Sequence, residues 1–501
     1  MAAADPVVQT KAGQIRGNLE NGAAVFRGIP FARPPVGGLR FQAPEPPEPW
    51  EGVRDATAFG PQAPQAAFPG MPEADPAGTS DWLTLNVWTP DPDARTLPVL
   101  VWIHGGAYLF GSAAQEGYDG GGFARSGAVF VSCNYRLGTE GFAQIPGAPA
   151  NRGLLDAVAA LRWVRDNVER FGGDPANVTV FGESAGAGVI SALLAMDSAA
   201  GLFRRAIPQS VPGTFFTPAL ATDVTKAIAA AAGVAPTYEA LSQADPMHLA
   251  EAQMAVAVRM KEFPRWGPVR LTDTPFSPVV DGEVLPRAPW RALLSGVARD
   301  IELLTGHNRD EYRLFLATSG RLGTITEDEA ETVLDAFAPA PDGAAGYRKA
   351  YQGADAGQLY ELVFSDWLFR MPTLHLAQAH AASGGKTFLY ELRAEAPGGG
   401  GVFGACHALD IGLIFGGAGA AGGVLTGEHP PAEFTALGDL MRSEWLRFAD
   451  CGEPGWPVYG TEHRATRIYD LEEDVTPYPE EASMHLWERH QFDALDLAPV
   501  G

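Results

Sequence analysis

The stretch Asn177-Val-Thr-Val-Phe-Gly-Glu-Ser-Ala-Gly-Ala-Gly188 decides how the rest of the chain is read. It opens as an apolar, β-branched run, which reads as a buried strand, and continues into small residues that begin a helix near Ser184. A backbone that passes directly from strand to helix is strained and tightly packed. It needs small residues on both sides of the turning position, and Gly182 and Gly186 supply them. Such a turn lifts the Ser184 hydroxyl out at the carboxyl end of the strand. The helix N-terminus and the Ala185 amide then face any negative charge that develops there. In a chain with 59 glycines a bare Gly-x-Ser-x-Gly pattern is weak evidence; the strand before it and the helix after it give it weight.

Outward from this turn, further apolar runs at 98–103, 128–133, 301–304 and 387–392 read as buried parallel strands. Between them the spacing predicts helices, most clearly over 153–171, closed by Gly172-Gly173. Strands alternating with helices predict an α/β fold with a mostly parallel twisted sheet covered on both faces. The stretches 212–290 and 320–385 are mainly helical with proline punctuation. They read as insertions roofing the sheet, so that 1–501 forms a single catalytic domain. Two Gly-rich loops, 398–401 and 416–423, are the only compositionally biased segments.

Strand 98–103 runs into His104-Gly-Gly-Ala-Tyr108. Small residues here let backbone N–H groups approach a substrate oxygen, and the loop precedes the serine as an oxyanion loop requires. A serine hydroxyl is a poor nucleophile until an imidazole takes its proton, and that imidazole needs a carboxylate to fix its tautomer. Seven of the ten histidines, His375, His380, His407, His429, His463, His485 and His490, follow both Ser184 and the acid candidates at 310–311. His375 and His380 fall in an apolar helical pattern, and His463, His485 and His490 lie late, amid polar sequence. His407 sits in the loop after strand 387–392, where a base belongs. For the acid, Thr305-Gly-His-Asn-Arg-Asp-Glu311 follows strand 301–304, and the pattern leaves Asp310 and Glu311 equal.

Composition bounds the partners. With 46% hydrophobic and 19% charged residues, the 501-residue chain is an ordinary globular one. A net charge of −24, scattered rather than blocked, disfavours nucleic acid and anionic membrane surfaces. No apolar run is long enough to span a bilayer. Met1-Ala-Ala-Ala-Asp-Pro6 has neither a basic start nor an apolar core of a secretory signal. Cys133, Cys406 and Cys451 are odd in number and fit neither a zinc pattern nor a disulfide framework, which points to a reducing, cytoplasmic compartment.

Several segments together resemble the type-B carboxylesterase family of the α/β-hydrolase fold, in the manner of the bacterial p-nitrobenzyl esterases more than of the cholinesterases. They are Phe26-Arg-Gly-Ile-Pro-Phe-Ala-Arg-Pro-Pro-Val-Gly-Gly-Leu-Arg-Phe41, Ser80-Asp-Trp-Leu-Thr-Leu-Asn-Val87, Asn134-Tyr-Arg-Leu-Gly138, Phe171-Gly-Gly-Asp-Pro175 and Phe181-Gly-Glu-Ser-Ala-Gly186. The resemblance implies Ser184 as nucleophile, Glu311 as acid and His407, in Cys406-His-Ala-Leu-Asp410, as base. It implies the amides of Gly106, Ala107 and Ala185 as oxyanion donors, with Glu183 and Ser210 as supporting groups. The implied activity is hydrolysis of short-chain or aromatic carboxylic esters through an acyl-enzyme, with no cofactor and no metal. The expected partners are a small ester and water, in a monomer or small homo-oligomer. The rival expectations are a non-catalytic binding protein of the same fold and an amidase or carbamate hydrolase with the same triad. Departures from the family pattern include Trp82 where animal relatives carry a disulfide cysteine, and a loop, 62–80, without the tryptophan that cradles a quaternary ammonium. Pro208 and Val211 flank Gln209-Ser210, Asp410 replaces a common Glu, and Ala107 stands where many relatives have a third glycine. A loop of this kind implies room for a branched alcohol.

Overall fold

The computed structural model describes residues 5–67, 80–417, 420–472 and 474–499. Most of the 62–80 loop (68–79), and residues 418–419 of the second Gly-rich loop, lie outside the described residues.

The main sheet has eleven strands. In chain order they are β1 (Asn18–Glu20), β2 (Ala23–Pro30), β3 (Thr84–Thr89), β4 (Leu97–Ile103), β5 (Val129–Cys133), β6 (Gly173–Glu183), β7 (Arg205–Gln209), β8 (Glu302–Asn308), β9 (Thr387–Leu392), β10 (Ala465–Tyr469) and β11 (Asp474–Pro477). Across the sheet the order is β11-β10-β9-β8-β7-β6-β4-β5-β3-β2-β1. From β10 through β5 every neighbouring pair is parallel, and the remaining strands close the two edges antiparallel. A separate three-stranded sheet joins Val7–Gln9, Gln14–Arg16 and Val53–Asp55.

Each predicted strand is present, lengthened toward its site end in β6 and β8. Alternate side chains serve opposite faces, so the strands read as continuous apolar runs. Val99, Val101, Ile103, Val129, Val131, Val178 and Val180 join one buried cluster with α1 (Arg152–Asn167), α2 (Ala185–Leu193) and the helices of the two insertions. Leu100, Trp102, Phe130, Phe181, Ile207 and Phe388 join another, capped by Met441, Trp445 and Phe448 of helix Ala432–Cys451. The sequence predicts one helix over 153–171. The structure ends α1 at Asn167 and tightens Val168–Phe171 into a 3₁₀ turn, stopped by Gly172 at φ 86°. Tightening of a last turn is a common way to satisfy its free carbonyls.

The stretch 212–290 contains helices Pro218–Ala231, Tyr238–Gln243 and Pro246–Ala257. Thr217, Thr237 and Asp245 cap them by accepting a backbone N–H. The stretch 320–385 contains Glu327–Phe337, Gly343–Ala350, Ala356–Ser365 and Met371–Ala382, the last two joined by a π-turn at Asp366–Arg370. Among the described residues no helix is long and apolar enough to cross a membrane. Because β4, β6, β7, β8 and β9 are parallel, their carboxyl ends open on one edge of the sheet, and the loops that follow them meet there.

Candidate active site

Ser184 closes β6 and opens α2 with φ 57° and ψ −124°, a conformation that L side chains rarely adopt. The surrounding packing enforces it. A Cβ at Gly182 would stand 2.4 Å from the Ile103 carbonyl oxygen, and one at Gly186 2.1 Å from the same atom, so β4 presses on both sides of the turn. The Ser184 N–H donates to the Gln209 carbonyl at 3.0 Å and is thereby committed to β7. The next amide, that of Ala185, has no acceptor among the described residues.

The loop after β4 lies against this turn, since a Cβ on Gly105 would stand 3.3 Å from the Ser184 Cβ. Gly106, Ala107 and Tyr108 have φ of 106°, 55° and 60°, and the N–H groups of Gly106 and Ala107 have no acceptor among the described residues. Successive peptides turned by positive φ values and left with unshared N–H groups are the kind of backbone that receives an anion. His104 fixes the first of them. Its Nδ1 lies 2.8 Å from the Gly105 carbonyl oxygen, on the peptide whose N–H belongs to Gly106. Burial lowers the His104 pKa to about 4, so the ring is neutral at pH 7 and Nδ1 must carry the proton to make this bond. The ring stacks on Tyr135, whose hydroxyl donates to the His104 carbonyl at 2.9 Å.

Glu311 and His407 come from the loops after β8 and β9. Glu311 is fully buried and its carboxylate is held at both oxygens. Oε1 accepts from the Ser210 hydroxyl at 2.6 Å and from the Asn308 N–H at 2.8 Å, and Oε2 lies 2.6 Å from His407 Nδ1. Ser210 reaches inward because it, too, takes a positive φ, 54°, just past the end of β7. Pro208 and Val211 do not disturb this strand, which pairs Pro208 with Gly182 in regular register. Asp310 turns the other way. Its carboxylate pairs with Arg309 at 2.9 Å and accepts the Ala405 N–H at 3.0 Å. The geometry therefore separates two adjacent acids that the sequence pattern left equal.

On its other side, His407 Nε2 makes no hydrogen bond, while Glu183 Oε1 approaches it to 3.0 Å. Asp410 lies beneath, accepting from Gln209 at 2.7 Å and from the Tyr390 hydroxyl at 2.9 Å. Burial pushes the Glu183 carboxyl up to about 8 and raises Asp410. For His407, burial favours the neutral ring, but Glu183 and Glu311 outweigh it and hold the imidazole up, at about 9. The rings of Phe369 and Phe315 flank His407, with centroids 4.1 and 5.4 Å away.

The other histidines lie elsewhere. His380 bonds Thr387, and the His375 ring packs against Phe492. Among the described residues, no group of His, Cys, Asp or Glu side chains is arranged to hold a metal ion. Sequence reading missed the two phenylalanines beside His407, which come from a helix and a π-turn with no local signal for the site. It placed Glu183 next to Ser184 without foreseeing its contact with Nε2.

The chain matches the carboxylesterase family over residues 4–487. It is 35% identical to the para-nitrobenzyl esterase of Bacillus subtilis (strain 168), covering 95% of this chain and 96% of that protein. It is 34% identical to the fumonisin B1 esterase of Sphingopyxis macrogoltabida, covering 90% of this chain and 84% of the relative. Among solved structures, a carboxylesterase from Geobacillus stearothermophilus superposes with a TM-score of 0.84 at 36% identity, over 96% of this chain and 99% of that one. With the mostly parallel sheet and flanking helices described above, these findings establish that the chain belongs to the carboxylesterase family, as a serine carboxylesterase of the α/β-hydrolase fold.

Proposed function

We propose that Ser184, His407 and Glu311 form a catalytic triad that hydrolyses short-chain or aromatic carboxylic esters through an acyl-enzyme. The observation that carries the reading is the 2.6 Å contact between Glu311 Oε2 and His407 Nδ1, which leaves Nε2 facing Glu183, the residue before Ser184. In this reading His407 Nε2 takes the Ser184 proton as Oγ attacks the ester carbonyl. The oxyanion is met by the N–H groups of Gly106, Ala107 and Ala185. His407 then returns the proton to the leaving alcohol, and water, activated by the same imidazole, releases the acid. Glu311 fixes the tautomer and offsets the imidazolium charge. The unshared amides and the positive φ run at 106–108 support the oxyanion assignment. Ser210, bonded to Glu311, supports the acid.

The whole chain is read as one catalytic domain. The same buried cluster takes in Val8 near one end, Phe492 near the other, and helices of both insertions. Three unpaired cysteines, one of them exposed, support a reducing, cytoplasmic setting.

The test is direct. Ser184→Ala should remove nearly all p-nitrophenyl acetate hydrolysis while leaving the circular dichroism spectrum intact, because losing a triad member lowers the rate by orders of magnitude. An organophosphate should label the peptide containing Ser184 in the unsubstituted enzyme. Labelling elsewhere, with activity surviving the substitution, would overturn the assignment. A panel of p-nitrophenyl esters of rising acyl length, with benzoate and an anilide alongside, then grades the substrate.

A further inference from the structure

The π-turn Asp366–Arg370 and the helix turns on either side of it touch the site at more points than packing alone requires. On one side they bracket the acid. The Tyr312 N–H donates to the Ser365 hydroxyl at 3.0 Å, and Arg370 Nη1 donates to the Arg309 carbonyl at 3.1 Å. Glu311 lies between these two residues, so its backbone is tied on both flanks to one segment. On the other side the same segment holds the chain just after Ser210, the residue whose hydroxyl donates to Glu311 Oε1. The Val211 N–H donates to Thr373 Oγ1 at 2.9 Å, and the Gly213 N–H donates to the Leu368 carbonyl at 2.8 Å. From between these anchors Phe369 lays its ring on His407, at 4.1 Å and an interplanar angle of 27°.

Arg370 is itself immobilised. Its side chain is 2% exposed, with Nε 2.9 Å from Asp366 Oδ1 and Nη2 2.9 Å from Glu480 Oε2. Asp366 accepts from the Tyr347 hydroxyl at 2.6 Å and from Ser483, which ties the π-turn to helices Gly343–Ala350 and Glu481–Trp487. A π-turn adds a residue to the helical circuit and so changes which side chains face one way. Here the change presents Phe369 toward His407 and Arg370 toward the acid loop within two consecutive positions.

We propose that segment 365–373 is the jig that sets the Glu311 carboxylate against His407, with Ser365 and Arg370 as positioning residues. The inference rests on the triad reading above and assigns what holds its acid in place. The carboxylate must meet Nδ1 at 2.6 Å, and the loop that carries it has no regular secondary structure of its own between β8 and helix Arg313–Thr318. Precision at such a contact comes from the groups that fix the loop, and small misplacements slow the reaction without weakening substrate binding.

The test uses Ser365→Ala and Arg370→Lys in the full chain. Lysine keeps a cation facing Asp366 and Glu480 but lacks the fork that also reaches the Arg309 carbonyl. Each variant should lower kcat by about tenfold with KM nearly unchanged, as expected for a displaced catalytic contact. Organophosphate titration should still count one site per folded chain. The acid limb of the kcat/KM profile should move to lower pH, because Glu311 is one of the groups raising the His407 pKa, with Glu183 and Asp410 the other carboxyls facing it. In a Glu311→Gln background neither substitution should lower kcat further, since coupling through a shared group abolishes additivity. A role confined to stability would instead lower the melting temperature or the count of titratable sites and leave the pH profile in place. Unchanged kcat in Ser365→Ala, or equal losses with and without Glu311, would overturn the jig. If Arg370→Lys does not fold, the Ser365→Ala comparison decides alone. If Glu311→Gln itself leaves kcat intact, the triad reading falls and takes the jig with it. If Glu311→Gln abolishes activity while both positioning variants keep theirs, only the jig falls.

Discussion

Two of the buried clusters of charge among the described residues are built on opposite plans. In one, Arg136 grips Asp156 with two bonds of 2.7 and 2.8 Å between side chains that are both 0% exposed, and Arg40 meets Glu140 at 2.5 Å. Arg152 joins them through the carbonyls of Thr139, Glu140, Pro149 and Ala143, and the Phe41 ring lies under both Arg40 and Arg152. Every carboxylate there faces a guanidinium. In the other cluster, Glu183, Glu311 and Asp410 surround the single imidazole of His407, with no arginine among them. The first arrangement leaves no carboxylate without a cation and ties the loop after β5 to α1 and to the helices at 238–257. The second sets Glu311 at Nδ1 and Glu183 at Nε2 with no cation beside them, which raises the proton affinity of the ring. Burial is common to both. What separates structural from reactive charge is whether each carboxyl has its own cation.

The sharpest way to break this contrast is to neutralise one carboxylate in each cluster. Glu311→Gln should lower kcat by about 10²–10⁴-fold, as loss of the orienting acid does, with little change in melting temperature. Asp156→Asn should leave kcat per organophosphate-titrated site unchanged. It should destabilise the fold by about 3–5 kcal/mol, because it strands a buried arginine. Thermal denaturation beside active-site titration separates the two. If both variants lost stability and turnover together, the clusters would not be distinct in kind.

The second test sharpens the electrostatics of the reactive cluster. In the proposed mechanism hydrolysis needs neutral His407, and its pKa is held above the ordinary imidazole value, so activity should rise with pH well past neutrality before levelling. Glu183 is one of the groups holding it up, so Glu183→Gln should move the acid limb of kcat/KM toward lower pH. A shift toward higher pH would mean that the 3.0 Å contact does not stabilise the protonated ring.

The sequence made parts of this legible because they are local. Gly182 and Gly186 announce the Ser184 turn, since no side chain fits against the Ile103 carbonyl. The apolar runs announce the strands, since both faces of the sheet are covered. Asp310 and Glu311 could not be told apart by pattern, because both follow the same strand. What separates them is which carboxylate meets Arg309 and the Ala405 amide and which meets Ser210 and His407, a matter of the loops after three different strands. The resemblance to carboxylesterases named Glu311 where the residues themselves left the two open, and Glu311 is the one that contacts His407. Phe369, Ser365 and Arg370 were illegible for the same reason. A π-turn has no propensity signature, and their partners lie 38 to 61 residues away or farther.

The smallest expected effect concerns Ala107, which holds φ 55° with a Cβ where glycine would do so freely. Ala107→Gly relieves a strain of about 1–2 kcal/mol and opens space beside the alcohol half of the substrate. The ratio of tert-butyl to n-butyl acetate hydrolysis should therefore rise, by no more than a methylene-sized effect of about 1–3 kcal/mol. An unchanged ratio would mean that the Ala107 methyl points away from the alcohol.

The strand order carries a consequence for how the enzyme comes into being. Ser184, Glu311 and His407 arrive on loops after β6, β8 and β9, and β7 must be seated between β6 and β8 before the first two can meet. No nascent or truncated chain that lacks the segment beyond β9 contains all three groups. On the proposed triad, ester hydrolysis is therefore a late product of synthesis and of refolding. Parallel pairings between segments so far apart close slowly, and the serine turn itself waits on β4, which presses on Gly182 and Gly186, and on β7, which takes the Ser184 N–H.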